Sequence, residues 1–454
     1  LHRRTAEGLE RLRQSRPVPA EKLAHHFIEA GEHERGLQWA RKAGAEAERL
    51  FAYDEAIDAY GRAIECAQAL GRADDECALE EAIGRVRVMT GNLIAALENF
   101  DRALALTRDP RARGRLQALA ANSLVTLGDP RGLEYAQAAL EVLDPVTEPF
   151  ETAYTIGIQG RFHHLAGRHK EAARLLTNAV ECAEAAIGPG MTAFQASTLA
   201  SLYGYLSGAY QHLALFDDAD RWARRTIAYG RGHNVPLAEA IGYEFLGENA
   251  VGSGRWREGL EYAAREREIA DRLHSRERWA WSRLYAGDCA RLLGDTERAE
   301  AEYRAGLELA AATGERRLGL LLSTGWSQLL ADMGRLDEAL EVAREAVVRA
   351  DELNLIHLRC ESRLARAYAH FKRGEFDDAI RYADEILELT RGLEPRFCRL
   401  QLGPLHVEAL RAAGRKDEAE RRLAEYAAMV AECQSPFART EVERLRLASS
   451  RSVD

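Results

Sequence analysis

One short phrase recurs along this chain at a fixed spacing, and it constrains the fold more than any other feature. Gly254-Arg-Trp-Arg-Glu-Gly259, Gly294-Asp-Thr-Glu-Arg-Ala299, Gly334-Arg-Leu-Asp-Glu-Ala339, Gly374-Glu-Phe-Asp-Asp-Ala379 and Gly414-Arg-Lys-Asp-Glu-Ala419 lie forty residues apart. Gly91 to Ala96 and Gly167 to Ala172 fit the same phrase, Phe51 to Ala56 and Ala214 to Ala219 are variants without the glycine, and Gly128 to Gly132 is a shortened copy. Self-similarity of this period marks a repeat array, in which each unit buries its apolar face only against its neighbours. At 454 residues the chain also exceeds what one hydrophobic core serves, about 250–300 residues.

The phrase reads as one helix ending and the next beginning. Glycine takes the left-handed conformation that closes a helix, and the acidic residues after it suit the positive end of the following helix. Seven residues before most joints stands a small side chain: Gly84, Ala121, Gly160, Ser207, Gly247, Gly287, Ser327 and Ala367, with Val407 the exception. Five residues after the joint comes Ala, so two helices can approach closely there. Flanking segments such as 299–309 and 339–348 place apolar residues at helical spacing, and nothing alternates as strands do. Pro110, Pro145, Pro149, Pro189, Pro236 and Pro395 fall between hairpins, whereas Pro404 is expected to shorten or kink the first helix of the last unit.

These columns resemble tetratricopeptide repeats (TPR): a small residue midway along the first helix, the glycine joint with its acidic residues and Ala, then Tyr60, Phe100, Leu176, Tyr303 or Leu423 four residues on. The unit is longer than is usual in that family by about one and a half helical turns. The resemblance implies an all-α superhelix of about ten hairpin repeats, roughly forty residues each, with a concave surface lined by the first helices. Residues 1–50 are expected to hold a helical junction and a half-sized first repeat opening at Gly31, residues 51–440 the array, and residues 441–454 a tail. The phrases Leu1-His-Arg-Arg-Thr-Ala-Glu-Gly8, Lys22-Leu-Ala-His-His-Phe-Ile-Glu-Ala-Gly31, Gly36-Leu-Gln-Trp-Ala-Arg-Lys-Ala-Gly44 and Phe51 to Tyr60 resemble the junction between the nucleotide-binding and repeat regions of bacterial signal-transduction ATPases. That likeness implies a sensor region of a larger regulator, with the ATPase preceding Leu1.

Composition narrows the chemistry. A net charge of −10 argues against bulk binding to nucleic acid or anionic membrane. Seven cysteines without a CxxC pair suit a reducing compartment, and no secretory leader or spanning segment stands out, so a cytoplasmic setting is expected. No GxxxxGK[ST] loop occurs, Gly188-Pro189-Gly190 lacking the required lysine, and neither HExxH nor GxSxG is present. His25-His26 and His163-His164 are neighbours whose side chains diverge around a helix, so one metal is not expected to use both. Asp217-Asp218 and Asp377-Asp378 stand where helix capping accounts for them. The expectation is therefore a region without catalytic residues, cofactor or metal.

In the TPR pattern, positions ten, six and three before each joint face inward. They give Gly157, Arg161 and His164; Gly204, Gly208 and Gln211; Glu244, Glu248 and Val251; Leu284, Asp288 and Arg291; Thr324, Gln328 and Ala331; Leu364, Tyr368 and Phe371. The candidate groove residues are Arg161, His164, Gly204, Gly208, Gln211, Glu244, Glu248, Asp288, Arg291, Gln328 and Tyr368. Arg161 suits a carboxylate or phosphate, and the carboxylates suit cationic or hydroxyl-bearing groups. Glycines 204 and 208 lie in the uncharged stretch Ala185–Phe216, expected to let a ligand approach the backbone. The expected occupant is a protein, a peptide or a small polar effector. A rival expectation is a constitutive adaptor that holds a partner's peptide or helix in the same groove.

Overall fold

The computed structural model describes residues 1–12, 18–50, 52–188, 193–393 and 396–450. Phe51, Pro189, Gly190, Pro395 and the last four residues of the tail lie outside the described residues, as does part of the loop expected between Gly188 and Ala193. Among the described residues there are twenty-three helices and no strand. The chain divides into two compact units, Leu1–Gln159 and Gly160–Asp454.

The first unit holds α1 (His2–Leu12), α2 (Ala20–Glu29), α3 (His33–Arg49), α4 (Tyr53–Ala69), α5 (Ala73–Met89), α6 (Leu93–Leu106), α7 (Pro110–Thr126), α8 (Arg131–Val142) and the start of α9 (Pro149–Leu165). The second holds the end of α9, then α10 (His169–Ala186), α11 (Ala193–His212), α12 (Phe216–Gly232), α13 (Pro236–Ser253), α14 (Trp256–Leu273), α15 (Arg276–Leu292) and α16 (Thr296–Thr313). It continues with α17 (Arg316–Asp332), α18 (Leu336–Leu353), α19 (Ile356–Arg373), α20 (Phe376–Leu389), α21 (Arg396–Ala412), α22 (Lys416–Ala431) and α23 (Pro436–Ser450). Helices α3 to α22 make ten hairpins. The Gly31 phrase joins α2 to α3, between hairpins, and α23 runs through residue 441, where the sequence suggested a tail.

The joints have the predicted chemistry. Gly254, Gly294, Gly334, Gly374 and Gly414 all have φ between 77° and 87°, and Ala214 takes the same left-handed role at 57°. The small residue before the joint receives a large side chain sixteen residues later: a Cβ on Gly84 would stand 2.4 Å from Phe100, one on Gly160 2.7 Å from Leu176, and one on Gly287 2.7 Å from Tyr303. Where that residue is serine it binds the second helix instead, Ser207 Oγ and Ser327 Oγ each donating at 2.8 Å to the carbonyls of Ala219 and Ala339. The acidic pairs after the joints act by charge rather than by capping bonds. Leu215 and Glu375 are the N-caps there and make no side-chain cap bond, while Asp217, Asp218, Asp377 and Asp378 occupy the first turns.

Pro404 does not shorten its helix, as the sequence suggested. Helix α21 runs through it. A proline there leaves the carbonyl of Leu400 without its helical donor, and the hydroxyl of Tyr426 on α22 supplies one at 3.2 Å. Gly403 makes the room, since a Cβ there would lie 2.1 Å from the Tyr426 ring.

The second unit winds back on itself. The segment after α22 returns to the joint between α11 and α12, where the backbone NH of Gln434 donates to the carbonyl of Ala214 at 2.8 Å. Ser435 Oγ donates to the carbonyl of Gly252 at 3.2 Å, and Phe437 packs against Trp256 with ring centroids 5.2 Å apart. Phe216, Leu400, Val407, Leu423 and Val442 share one apolar cluster across this closure. These contacts bring the last helix against the α11–α12 joint, so that the concave face becomes a partly open chamber.

Candidate functional site

The enclosed face of the second unit is a chamber of about 400 Å3, within the ordinary range for small-ligand cavities, about 300–1,000 Å3. Six successive first helices line it. Gln211 and His212 come from α11, Glu248 and Val251 from α13, Leu284, Asp288 and Arg291 from α15, and Arg317, Leu321, Thr324 and Gln328 from α17. His357, Glu361, Leu364, Tyr368 and Phe371 come from α19, and Phe397, Leu400, Gln401 and Glu408 from α21. Phe437, Glu441 and Arg444 of α23 complete the wall. Spacings of three and four along each helix put these side chains on one stripe, and the hairpin stack aligns the stripes.

Of the candidate groove residues, Gln211, Glu248, Asp288, Arg291, Gln328 and Tyr368 line the chamber. Gly204 and Gly208 do not, because the ring of Phe245 covers both, 3.0 and 3.1 Å from where a Cβ would stand. The expected close approach to the backbone is therefore taken by a helix neighbour. Glu244 is also withdrawn, buried in an ion pair with Arg278. Arg161 lies over the ring of Tyr205, 5.4 Å from its centroid. His164 belongs to a stack of imidazoles, 5.2 Å from both His169 and His212, with His169 and His212 nearly parallel at 4.5 Å.

That stack closes one side of the chamber through His212, whose ring lies 6.1 Å from His357 and 6.0 Å from Phe397. Burial, then the charge of Arg317, pushes the His212 imidazole down to about 4. Burial first and Arg317 second likewise hold His357 well below its usual range. Both rings are neutral at neutral pH.

The carboxylates behave oppositely. Burial, followed by the neighbouring Glu244, pushes Glu248 up to about 7, against the opposing hydrogen bond from Gln211 Nε2 at 3.2 Å. Burial, with Asp288 and Glu248 nearby, pushes Glu361 up to about 7. Burial raises Asp288 too, although it accepts from the Tyr303 hydroxyl at 2.5 Å and has Arg291 beside it. Three carboxyl groups from three different helices thus face one enclosed space.

Sequence reasoning missed Arg317, His357, Glu361, Phe397 and Gln401. They stand thirteen or seventeen residues before their joints, about one or two turns beyond the inward columns it used. The signal was present, because the units are longer than a standard repeat and the inward stripe lengthens with the helix. It also stopped one unit early, omitting Pro404 and Glu408 of α21.

Two clusters have metal-ligand chemistry among the described residues. His2, His25 and His26 in the first unit, and His370, Glu375 and Asp378 in the second, each bring donor atoms within 4.8 Å of one another. The structure thus gathers the side chains of His25 and His26, expected to diverge, around His2 of α1. An imidazole hydrogen bond between the Nδ1 atoms of His2 and His26 at 3.0 Å accounts for the approach. In the second cluster His370 Nδ1 pairs with Glu375 at 2.7 Å and Asp378 with Arg381 at 2.6 Å. All seven cysteines are free, and no helix among the described residues is long and apolar enough to cross a membrane.

No protein-family model and no curated protein matches the chain. Among solved structures it is similar to a Rap protein complexed with Competence and Sporulation Factor, at 12% identity over 79% of this chain and 98% of that one, with a TM-score of 0.60. It is similar to aspartyl phosphate phosphatase F from Bacillus subtilis, at 13% identity over 78% and 93%, with a TM-score of 0.52. A signal-transduction ATPase with a tetratricopeptide repeat sensor from Pyrococcus horikoshii matches at 15% identity over 77% of this chain and 52% of that one, with a TM-score of 0.46. At such identities the likeness is one of fold. Packed helical hairpins, left-handed joints and small-to-large columns make this chain an all-α, tetratricopeptide-repeat-like superhelical protein.

Proposed function

We propose that this chain is a non-catalytic, ligand-sensing region of a larger bacterial signalling or transcription-regulatory protein, and that the second unit holds its ligand. The observation that carries the reading is the closure of that unit by Gln434 and Ser435 around a chamber of about 400 Å3 lined by both ionisable and apolar side chains. A ligand that touches both α11 or α13 and α21 or α23 makes all of its contacts only while the unit is closed, so it binds the closed form better than an opened one and shifts the population toward it. The N-terminal phrases resembling an ATPase junction favour a regulatory setting. The structurally similar Rap protein was solved in complex with Competence and Sporulation Factor, which favours a bound signalling factor here.

The adaptor reading, with a partner helix in the groove, fits the chamber less well. Carboxyl, imidazole and amide side chains are interspersed through its lining, which suits a polar ligand more than the apolar face of an amphipathic helix. An extended peptide or a small molecule fits better.

The test is a thermal-shift screen of the full chain with fractionated peptides and polar metabolites, followed by hydrogen exchange on any hit. A hit that raises the melting temperature and slows exchange in residues 433–438 supports the reading. Hits that leave those residues unchanged, or that persist when Leu364→Trp fills the chamber, overturn it.

A further inference from the structure

The chamber is lined by more carboxyl groups than unpaired cations. Arg444 is committed to Glu408 at 2.7 Å and Glu441 at 2.8 Å. Arg291 is shared with Asp332 at 3.3 Å. Arg317 lies over the Trp281 ring, 5.3 Å from its centroid, and forms no ion pair among the described residues. Against it stand Glu248, Asp288 and Glu361. Among the described residues Glu361 has no hydrogen bond and no ion pair, whereas Glu248 has the Gln211 amide and Asp288 the Tyr303 hydroxyl with Arg291 nearby.

A second, independent feature points to an occupant. Gln328, from the middle of α17, is only 9% exposed, lines the chamber, and its side-chain amide has no hydrogen-bond partner among the described residues. The residue is largely buried while its polar atoms stay accessible from the chamber, so the amide is held in place on the chamber wall. Its carbonyl oxygen and two NH donors are therefore available to a polar group that also reaches the carboxyls. Leu321, Leu364, Phe371, Phe397 and Leu400 supply an apolar wall in the same space.

We infer that the chamber takes a molecule of up to tripeptide size carrying a protonated amine or guanidinium, which Glu361, Glu248 and Asp288 receive, with Gln328 binding an adjacent amide and the apolar wall holding a hydrocarbon group. This rests on the reading of the second unit as a ligand chamber. A cation entering the chamber replaces the missing counter-charge, and a charge-assisted bond to a desolvated carboxylate is stronger than a neutral one. The rise of Glu361 to about 7 reflects the same deficit, since its ionised form lacks a partner. A basic peptide side chain and a free polyamine share this chemistry, and the apolar wall favours the peptide.

The experiment is calorimetry on the full chain at pH 8 with three probes: the capped tripeptide amide Leu-Lys-Leu, its counterpart with acetylated lysine, and spermidine. The expected result is binding of the lysine peptide at least tenfold tighter than of its acetylated counterpart, and at least a tenfold loss in Glu361→Gln. That variant keeps the shape of a half-buried side chain that has no ion-pair partner among the described residues, and circular dichroism checks that the fold is retained. Binding of spermidine in preference to the peptide identifies the amine as the ligand and supports the charge inference. Equal binding of the charged and acetylated peptides overturns the charge inference and leaves the chamber standing. Failure of all three probes overturns the inference and counts against the chamber as well.

Discussion

The side-chain amide of Gln434 donates to Asp218 Oδ2 at 3.0 Å across 216 residues of chain. Its oxygen accepts from the backbone NH groups of Asp217 at 2.9 Å and Asp218 at 3.3 Å. Helix α12 has Leu215 at its N-cap and no side-chain cap of its own, so a residue from the far end of the unit satisfies its first-turn donors. Loss of a cap costs about 0.5–2 kcal/mol. Gln434→Ala is expected to lower stability by about that amount in urea unfolding and to speed hydrogen exchange in residues 433–450, while exchange in α15 and α16 changes little.

The same closure makes two similar glycines unequal. Gly254 and Gly294 both end first helices in the left-handed conformation, with φ of 87° and 78°. A Cβ on Gly254 would stand 2.7 Å from Phe437 Cβ, whereas one on Gly294 meets nothing within 4 Å. Each substitution to Ala carries the left-handed penalty of about 1–2 kcal/mol. Gly254→Ala is expected to cost at least about 1 kcal/mol more by also pushing α23 off the joint, an overpacking cost. Equal midpoints for the two variants in chemical denaturation would show that the closure contributes no stability.

Glu244 illustrates what the sequence could and could not reveal. Its position ten residues before the joint is an inward column, and the corresponding Leu284 and Leu364 do line the chamber. Glu244 is turned away by Arg278 of α15, a partner thirty-four residues on that no periodicity announces. Helices, joints and small-to-large columns were legible because they follow from spacing within one hairpin. Phe245 covering Gly204 and Gly208, and Gln434 closing the unit, were not, because they depend on how hairpin follows hairpin around a turn of superhelix. Glu361 was legible in principle: the added length of the helix carries the inward stripe further back, and Glu361 stands one turn beyond the last column used.

Arg278 also carries a stability prediction. It is 6% exposed and bonded to Glu244, with Glu266 at 3.7 Å, and Glu266 is itself fully buried and accepts from the Tyr285 hydroxyl. Removing one member of such a group leaves its partners' charges uncompensated, at about 3–5 kcal/mol. Arg278→Ala is expected to cost that much, whereas the double variant Arg278→Met with Glu244→Gln costs markedly less. Unfolding curves of the two variants test the ordering.

Glu361 gives stability a pH dependence with a definite sign. Its folded pKa is about 7, above the ordinary glutamate value of about 4.3. The folded state therefore holds the proton more tightly, so this residue favours folding at low pH and progressively disfavours it as pH rises from about 4.5 through 7. His212, depressed to about 4, acts in the opposite sense below pH 6.5, but that contribution is common to wild type and variant. Glu361→Gln is expected to gain stability over wild type between pH 5 and 8, by a few kcal/mol at pH 8. Measured stabilities that differ by the same amount at both pH values would show that Glu361 ionises normally.

The Leu400 carbonyl provides the last test. Pro404 denies it a helical NH, and Tyr426 supplies the replacement donor from the neighbouring helix. Tyr426 is 5% exposed and Leu400 7%, so water has little access to a carbonyl left bare. Tyr426→Phe keeps the ring that fills the space at Gly403 and removes only the hydroxyl, which isolates the hydrogen bond from the packing. An unsatisfied buried acceptor costs about 1–3 kcal/mol, and that is the expected loss. Replacing Pro404 by Ala in the same background restores an NH four residues after Leu400, so the Tyr426→Phe cost should shrink toward zero. A double-mutant cycle measured by urea unfolding reads this directly, and a cycle with no coupling would mean that the proline and the tyrosine are unrelated.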